Sequence, residues 1–284
     1  MTTIEQYGEF ATAWCPGCGN FGILKALKQA LVACDLAPHQ VLLVSGIGQA
    51  AKTPHYLNAN VLNGLHGRSL PAATGAKLAN PELTVIAESG DGCMYGEGGN
   101  HFLAALRRNL DITILVHDNQ VYGLTKGQAS PTSEQGFVTK AQPHGAPSIP
   151  FNPVAVAVTM GTPFVARGYA GLPDHLAGLI AQAITHRGTA LVDILQPCVS
   201  FNKINTYGWY KERCYELGDG HDPADRDQAL QVATKRNDRI PLGVIQRRAA
   251  TSVFEDHFEV LRQGPLCRQA VSNEAFRQVM ARYR

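Results

Sequence analysis

Asp91 stands between Gly90 and Gly92 just after the apolar run Leu83-Thr-Val-Ile-Ala87, and Asn119 follows a second such run, Ile112-Thr-Ile-Leu-Val116. Flanking glycines let a ligand approach the backbone closely. One carboxylate and one amide oxygen, helped by a loop carbonyl, are too few for an all-protein calcium cage. They suit Mg²⁺, whose octahedral oxygen shell is usually shared with substrate phosphates and water. The implied chemistry is capture of a diphosphate through a metal ion. A dinucleotide site fits less well, because no Gly-x-Gly-x-x-Gly opens the helix after a strand with an acidic residue following the second strand.

A second group of chemical residues is Trp14-Cys15-Pro16-Gly17-Cys18-Gly19-Asn20, a tight turn that directs both sulfurs to one place. A helix is expected from Asn20, with Phe21, Leu24, Leu27 and Leu31 at helical spacing, and a helix amino terminus favours thiolate. Three chemistries compete: a redox pair, half of a zinc site and half of an iron–sulfur site. The redox motif expects a strand just before it, which residues 1–13 do not supply. A four-thiolate site needs further cysteines. Cys198 follows the apolar run Ala190–Leu195, and Cys93 follows Gly92, so both fall at strand ends, on the edge that holds Asp91 and Asn119. Cys34, further along the first helix, is roughly 24 Å from Cys18 at ~1.5 Å per residue and cannot join. Cys214 and Cys267 read as ordinary, partly buried thiols.

The elements that position these groups alternate. The run ending at Ala87, a helix over about 98–108 with Phe102, Leu103 and Leu106 on one side, and the run ending at Val116 make a βαβ unit. Its right-handed crossover brings both strand ends to the same edge of a parallel sheet. Val41–Val44 is another strand, ending in Ser45-Gly46-Ile47-Gly48-Gln49. Further helices are expected over 71–78, 154–160 and 174–186, the last capped by Asp174, with strands over 164–167 and 190–195. This pattern predicts an α/β fold: a doubly wound, mostly parallel sheet with helices on both faces and ligands at the carboxyl ends of the strands. Residues 122–153 form a long loop rich in Gly, Pro, Ser, Thr and Gln, a kind that is usually functional. Residues 1–204 are expected to form the main domain. Residues 205–284 form a carboxyl-terminal extension, too weakly apolar for a core of its own, that packs on the main domain or on a partner.

Composition narrows the function classes. The 284 residues are 45% hydrophobic, ample for a core, and a net charge of +2 without a basic cluster lacks the footprint of a nucleic-acid binder. No apolar run approaches the ~20 residues of a membrane span, and the amino terminus lacks the charged and apolar regions of a signal peptide. A cytoplasmic protein with no membrane or nucleic-acid partner is expected. Seven cysteines, an odd number, argue for metal or catalytic sulfur rather than a disulfide framework.

Gly-Asp-Gly at 90–92 with Asn119 after the next strand resembles the thiamine-diphosphate motif. The chain as a whole resembles the β subunit of the 2-oxoacid:ferredoxin oxidoreductases, most closely the 2-oxoglutarate type. The likeness is carried by Trp-Cys-Pro-Gly-Cys-Gly (14–19), Ser-Gly-Ile-Gly (45–48), His-Gly-Arg-Ser-Leu-Pro (66–71), Gly-Asp-Gly (90–92), Gly-Gly-Asn-His (98–101), Asp-Asn-Gln-Val-Tyr-Gly-Leu-Thr-Lys-Gly-Gln (118–128) and Gln-Pro-Cys (196–198).

The resemblance implies the thiamine-diphosphate-binding fold, with thiamine diphosphate held by Gly46, Ile47, Gly48, His66, Gly67, Gly90, Asp91, Gly92, Asn119, Val121, Gly123, Leu124 and Thr125. It implies Mg²⁺ on Asp91, Asn119 and Val121, and one 4Fe-4S iron–sulfur cluster with Cys15, Cys18 and Cys198 among its ligands. His66 and Lys126 are the implied catalytic residues, with Lys126 resembling the lysine found in members that use 2-oxoglutarate. The implied reaction is oxidative decarboxylation of a 2-oxoacid with coenzyme A, giving acyl-CoA (succinyl-CoA from 2-oxoglutarate) and CO₂, with electrons passing to ferredoxin. The glutamate that activates the cofactor belongs to the α subunit, so an αβ or (αβ)₂ assembly is expected.

The sequence departs from the family at one point. Family members typically carry cysteine right after Ser-Gly-Ile-Gly as a cluster ligand, whereas this chain has Gln49, and it has Cys93 where aspartate is common. Either Cys93 supplies the missing thiolate, or three cysteines share the cluster with a non-cysteine ligand, or the chain carries no cluster. Two rival readings stand beside this one: a non-oxidative thiamine-dependent decarboxylase or synthase, which has no use for a Cys-x-x-Cys beside the cofactor, and a structural subunit stapled by zinc on the same thiolates.

Overall fold

The computed structural model describes residues 1–235, 238–249, 252–270 and 272–283. Among these, eight strands form one sheet: Val41–Ser45 (β1), Asn60–Asn63 (β2), Thr84–Gly90 (β3), Thr113–Asp118 (β4), Phe164–Tyr169 (β5), Ala190–Leu195 (β6), Cys214–Glu216 (β7) and Ile240–Arg247 (β8). Their order is β2-β1-β3-β4-β6-β5-β8-β7. Every neighbouring pair is parallel except β5 with β8, so the expected mostly parallel sheet is what forms.

Helices cover both faces, which is why the central strands are apolar along their lengths rather than alternating. Side chains on a strand still point to opposite faces in turn. Ile86 and Leu115 enter the core shared with Asn20–Ala33 (α1) and Pro173–Thr185 (α5). Val85, Ala87, Ile114 and Val116 enter the other, shared with Ser69–Ala79 (α2), Gly99–Arg108 (α3), Pro153–Thr159 (α4) and Arg226–Thr234 (α7).

Several local expectations are corrected. The buried face of α1 is Ile23, Ala26, Leu27, Ala30 and Leu31, with two alanines that let α1 lie close to α5, while Phe21 is exposed and meets Trp14 edge-on. Leu103 is likewise exposed; Phe102 and Leu106 carry the buried face of α3 together with Ala105. Asp174 does not cap α5 but sits in its first turn, where it takes a hydrogen bond from Gln29 Nε2 at 3.1 Å and pairs with Lys25 at 3.6 Å.

Residues 205–284 contribute Tyr207–Arg213 (α6), β7, α7, β8 and the helix Asn273–Ala281 (α8). Strand β8 extends the main sheet, so that much of the extension is continuous with it rather than laid over it. No helix among the described residues is long and apolar enough to cross a membrane.

Candidate active site

Strands β3 and β4 pair in parallel with Gly90 opposite His117, so Asp91 stands beside Asp118 and Asn119 lies one residue further out. After Asp91 the chain winds through a π-helical turn, Gly92–Glu97, before α3 begins. Such wide turns occur often at functional sites. Asn119 Oδ1 accepts the backbone N–H of Val121 at 3.1 Å, an Asx turn that starts the loop beyond β4.

These two strand ends open into a hollow of about 70 Å³. Of the residues assigned to the cofactor by resemblance, Ile47, Gly48, His66, Gly90, Asp91, Gly92, Asn119, Val121, Gly123, Leu124 and Thr125 line it. Gly46 and Gly67 do not, but both loops are fastened to it through Cys93, whose Sγ accepts the backbone N–H of Ile47 at 3.3 Å and of Gly67 at 3.1 Å. Gly46 has to be glycine, since a Cβ there would collide with Cys93 Sγ and lie 2.5 Å from Ser89 Oγ. The hollow is much smaller than the ~300 Å³ of a pocket that encloses a drug-sized ligand. It has room for the metal–phosphate end of a cofactor.

Lys126 is not in this wall. It is exposed, one residue past Thr125, and its backbone is in the left-handed region with φ 78°, as is Gln120 with φ 58°. Non-glycine residues held there cost of order 1–3 kcal/mol and cluster at ligand clamps. At the mouth, His66 Nδ1 lies 3.3 Å from Glu97 Oε2, which also accepts the Tyr122 hydroxyl at 3.1 Å.

Beneath the hollow lie three buried carboxyls. Asp91 Oδ2 accepts Ser130 Oγ at 2.5 Å and lies 2.7 Å from Thr132 Oγ1, which is equally 2.7 Å from Asp118 Oδ1. Asp193 takes the Tyr95 hydroxyl at 2.9 Å and pairs with Arg167 at 3.4 Å. Burial, only partly offset by the Ser130 and Thr132 hydrogen bonds, pushes the Asp91 carboxyl up to about 6. Burial next to Asp193 and Asp91 raises Asp118 well above the usual range, and burial also raises Asp193 against the pull of Arg167. A divalent cation on Asp91 would offset this crowding, so the residues present fit Mg²⁺ with its phosphate ligands.

A second hollow, of about 40 Å³, is lined by Trp14, Cys15, Cys18, Gln49, Asn119, Gly123, Gln196, Cys198 and Phe201 among others. Three of the four expected thiols therefore come together here. Cys93 does not join them: it is buried in the wall of the other hollow, where its sulfur is occupied by the two backbone N–H groups. The reason is that Cys93 begins its turn directed at the loop after β1, between that loop and Gly67. Gln49, in that same loop, faces the three thiols instead. Its carbonyl accepts the Trp14 indole N–H at 2.8 Å, and its side-chain Oε1 is buried with no hydrogen-bond partner. A buried acceptor left unpaired costs roughly 1–3 kcal/mol.

Cys18 Sγ accepts Gln196 Nε2 at 3.4 Å and Cys15 Sγ accepts Ser200 Oγ at 3.1 Å. Burial raises the Cys18 thiol and outweighs the Asn20 N–H at the start of α1, so the helix terminus alone does not produce the expected thiolate. Among the described residues no three His, Cys, Asp or Glu side chains converge on a single ion. The thiols line a cavity, and their donor set of three soft sulfurs with N–H and O–H groups aimed at two of them fits an iron–sulfur cluster.

The two hollows share a wall made of Gln49, Asn119 and Gly123. Below it runs a buried polar chain that the motifs did not reveal: Asn20 Oδ1 lies 2.8 Å from His117 Nδ1, His117 Nε2 lies 2.9 Å from Glu88 Oε1, and Thr53 Oγ1 donates to Glu88 at 2.5 Å. It ties α1, which follows the Cys-x-x-Cys turn, to the two strands of the carboxylate site. Glu88 and His117 inside apolar strand runs were the available signal. Ser130 and Thr132 lie in the long loop, which places them over Asp91 at a sequence distance no short motif spans. A larger hollow, of about 650 Å³, lies on the far side of Asp118 and Thr132 and is lined by Arg167, Trp209 and Arg213 among others. Of the residues in the chemical motifs, Asp118 and Gln120 reach it.

Comparison with known proteins places the chain as a whole. Residues 39–194 match the family model for the thiamine pyrophosphate enzyme, C-terminal TPP binding domain, and residues 198–263 match that for the C-terminal part of the pyruvate ferredoxin oxidoreductase β chain. The 2-oxoacid:ferredoxin oxidoreductase 1, subunit beta, of Aeropyrum pernix is 45% identical over 254 residues, covering 86% of this chain and 80% of that one. The corresponding β subunit of Saccharolobus solfataricus is 45% identical over 255 residues, covering 85% and 84%. A solved structure of 2-oxoglutarate:ferredoxin oxidoreductase from Magnetococcus marinus, with 2-oxoglutarate, coenzyme A and succinyl-CoA bound, superposes with a TM-score of 0.91 at 32% identity, covering 100% of this chain and 96% of that one.

Proposed function

The chain belongs to the β subunits of the 2-oxoacid:ferredoxin oxidoreductases, and on that premise we propose that it forms the thiamine-diphosphate and electron-accepting half of an enzyme acting on 2-oxoglutarate. In the proposed reaction, 2-oxoglutarate and coenzyme A give succinyl-CoA, CO₂, one proton and two electrons, and the electrons leave singly to ferredoxin. When bound, thiamine diphosphate supplies a nucleophilic carbon and an electron sink for decarboxylation, and a 4Fe-4S cluster supplies one-electron transfer.

The protein's own part is placement. Asp91, the Asn119 side chain and the Val121 carbonyl would hold Mg²⁺, which would supply charge for binding a diphosphate. Gly90 and Gly92 leave room for that group. The loop 121–125 covers it, with His66 and Tyr122 at the mouth. Cys15, Cys18 and Cys198 would hold the cluster. A hollow of about 70 Å³ takes only part of the cofactor, so the rest of the site is supplied by an α subunit. Residues 205–284 are proposed as a carboxyl-terminal extension of the main domain that also contributes to that subunit interface.

The observation that carries this reading is the shared wall of Gln49, Asn119 and Gly123 between the two hollows. A three-thiol pocket abutting the diphosphate site serves an oxidative reaction and has no purpose in a non-oxidative one. The test is anaerobic purification with the α subunit, metal analysis, and visible spectroscopy on adding 2-oxoglutarate and coenzyme A. Iron with absorption that bleaches on addition supports the reading. Zinc in place of iron, with no visible absorption, overturns it in favour of a structural staple.

A further inference from the structure

We propose that the cluster of this chain has three thiolate ligands and a fourth iron faced by the side-chain oxygen of Gln49, which makes that iron exchangeable. The inference rests on the cluster reading above and deepens it. Gln49 lines the hollow of Cys15, Cys18 and Cys198, and its Oε1 is buried without a partner, so an unspent oxygen donor sits where the fourth ligand is missing. The loop that carries it is fixed by the bond from Trp14 Nε1 to the Gln49 carbonyl, which ties it to the turn of Cys15 and Cys18. The alternative donor, Cys93, is engaged by Ile47 and Gly67 in the neighbouring hollow.

An amide oxygen is a hard, neutral ligand and binds iron far more weakly than a thiolate, which is soft and charged. The iron it faces is therefore the one that can leave. Oxidation of the cluster from its 2+ state by one electron, with ferricyanide as acceptor, weakens that site further. Release of Fe²⁺ then leaves a three-iron cluster in the 1+ state, its four sulfides and three thiolates intact. Gln49 also lines the hollow of Asp91 and Asn119, so the exchangeable iron is the one that faces the wall shared with that hollow.

The test compares anaerobically isolated αβ complexes carrying the wild-type chain, Gln49→Cys and Cys93→Ser, each titrated with ferricyanide and followed by iron counting and low-temperature EPR. Wild-type and Cys93→Ser complexes are expected to lose one iron per cluster, to develop the three-iron signal, and to regain the original spectrum with Fe²⁺ and a thiol reductant. Gln49→Cys is expected to keep all its iron under the same treatment. The inference is overturned if wild type and Gln49→Cys retain iron equally, or if Cys93→Ser loses iron before oxidation as a ligand variant would. Absence of iron from all three complexes would remove the cluster reading itself.

Discussion

Asp91 and Asp118, at the ends of adjacent parallel strands, reach the same hydroxyl, each with a carboxylate oxygen 2.7 Å from Thr132 Oγ1. A hydroxyl has one proton to give. The single Thr132 proton therefore lies between two carboxyls, and burial beside Asp193 and Asp91 raises Asp118 well above the usual range, further than it raises Asp91. Of the two, Asp91 is the one that ionises more readily, as a metal ligand must.

Asp91→Ala removes the only charged ligand proposed for the metal. A charged hydrogen-bonding contact is worth about 1.5–3 kcal/mol, or roughly ten- to a hundredfold in affinity, and a metal bridge should exceed the upper figure. Equilibrium dialysis of thiamine diphosphate with Mg²⁺ is expected to show binding reduced at least to that degree. Undiminished affinity would remove Asp91 from the metal site.

The Asp91 carboxyl, raised to about 6 in the metal-free chain, must be ionised to bind Mg²⁺. Above that pH no proton is released on binding. Below it, affinity is expected to fall about tenfold per pH unit, with one proton released per cofactor bound. The metal-free fold responds in the opposite sense. A carboxyl whose folded pKa exceeds its unfolded 3.8 binds more protons folded than unfolded, so its contribution to stability falls as pH rises from 3.8 through about 6. Calorimetry in buffers of differing ionisation enthalpy and thermal melts across this range check both signs.

Gly46→Ala drives a methyl group into Cys93 Sγ and Ser89 Oγ, an overpacking that costs about 1–3 kcal/mol and displaces the loop carrying Ile47 and Gly48. Weaker thiamine-diphosphate binding is expected, with partial recovery in the Gly46→Ala/Cys93→Ala double variant. No recovery would mean that Gly46 acts through its own backbone rather than against Cys93.

Lys126→Ala tests substrate choice. The lysine lies outside the hollow as it stands, but its left-handed backbone beside Gly127 marks a loop held in a costly shape next to Thr125. Pairing of Lys126 with the distal carboxylate of 2-oxoglutarate would contribute about 1.5–3 kcal/mol. kcat/KM for 2-oxoglutarate is expected to fall by one to two powers of ten more than that for pyruvate. An equal loss on both substrates would assign Lys126 to the loop or to the shared 2-oxoacid group.

The parts legible in the sequence were those fixed by local pattern. Unbroken apolar runs located β1, β3, β4 and β6 to within a few residues, with glycine-marked turns after β1 and β3, and strand alternation with helices dictated the parallel sheet that brings Asp91 and Asn119 to one edge. Strand β2 escaped because Asn60–Asn63 is short and exposed at the sheet edge, with no clear hydrophobic signal to read. Strand β8 was visible only as an apolar patch, since its antiparallel pairing with β5 depends on a return of the chain that no local feature encodes. The thiol pocket was three-quarters legible. The Cys-x-x-Cys turn before α1 and the end of β6 bring Cys15, Cys18 and Cys198 together, but edge position does not specify which way a side chain turns, and the π-helical turn after Asp91 sends Cys93 to the other hollow.

The proposed coupling of thiamine chemistry in one hollow to one-electron transfer in the other requires a fixed electron count. The most direct measurement is the stoichiometry of the purified αβ complex with 2-oxoglutarate, coenzyme A and a one-electron ferredoxin, read as CO₂ released against ferredoxin reduced. Two ferredoxins reduced for each CO₂ and each succinyl-CoA formed is the predicted result. Release of CO₂ with an aldehyde as product and no ferredoxin reduced would contradict it and assign the chain to a non-oxidative decarboxylase.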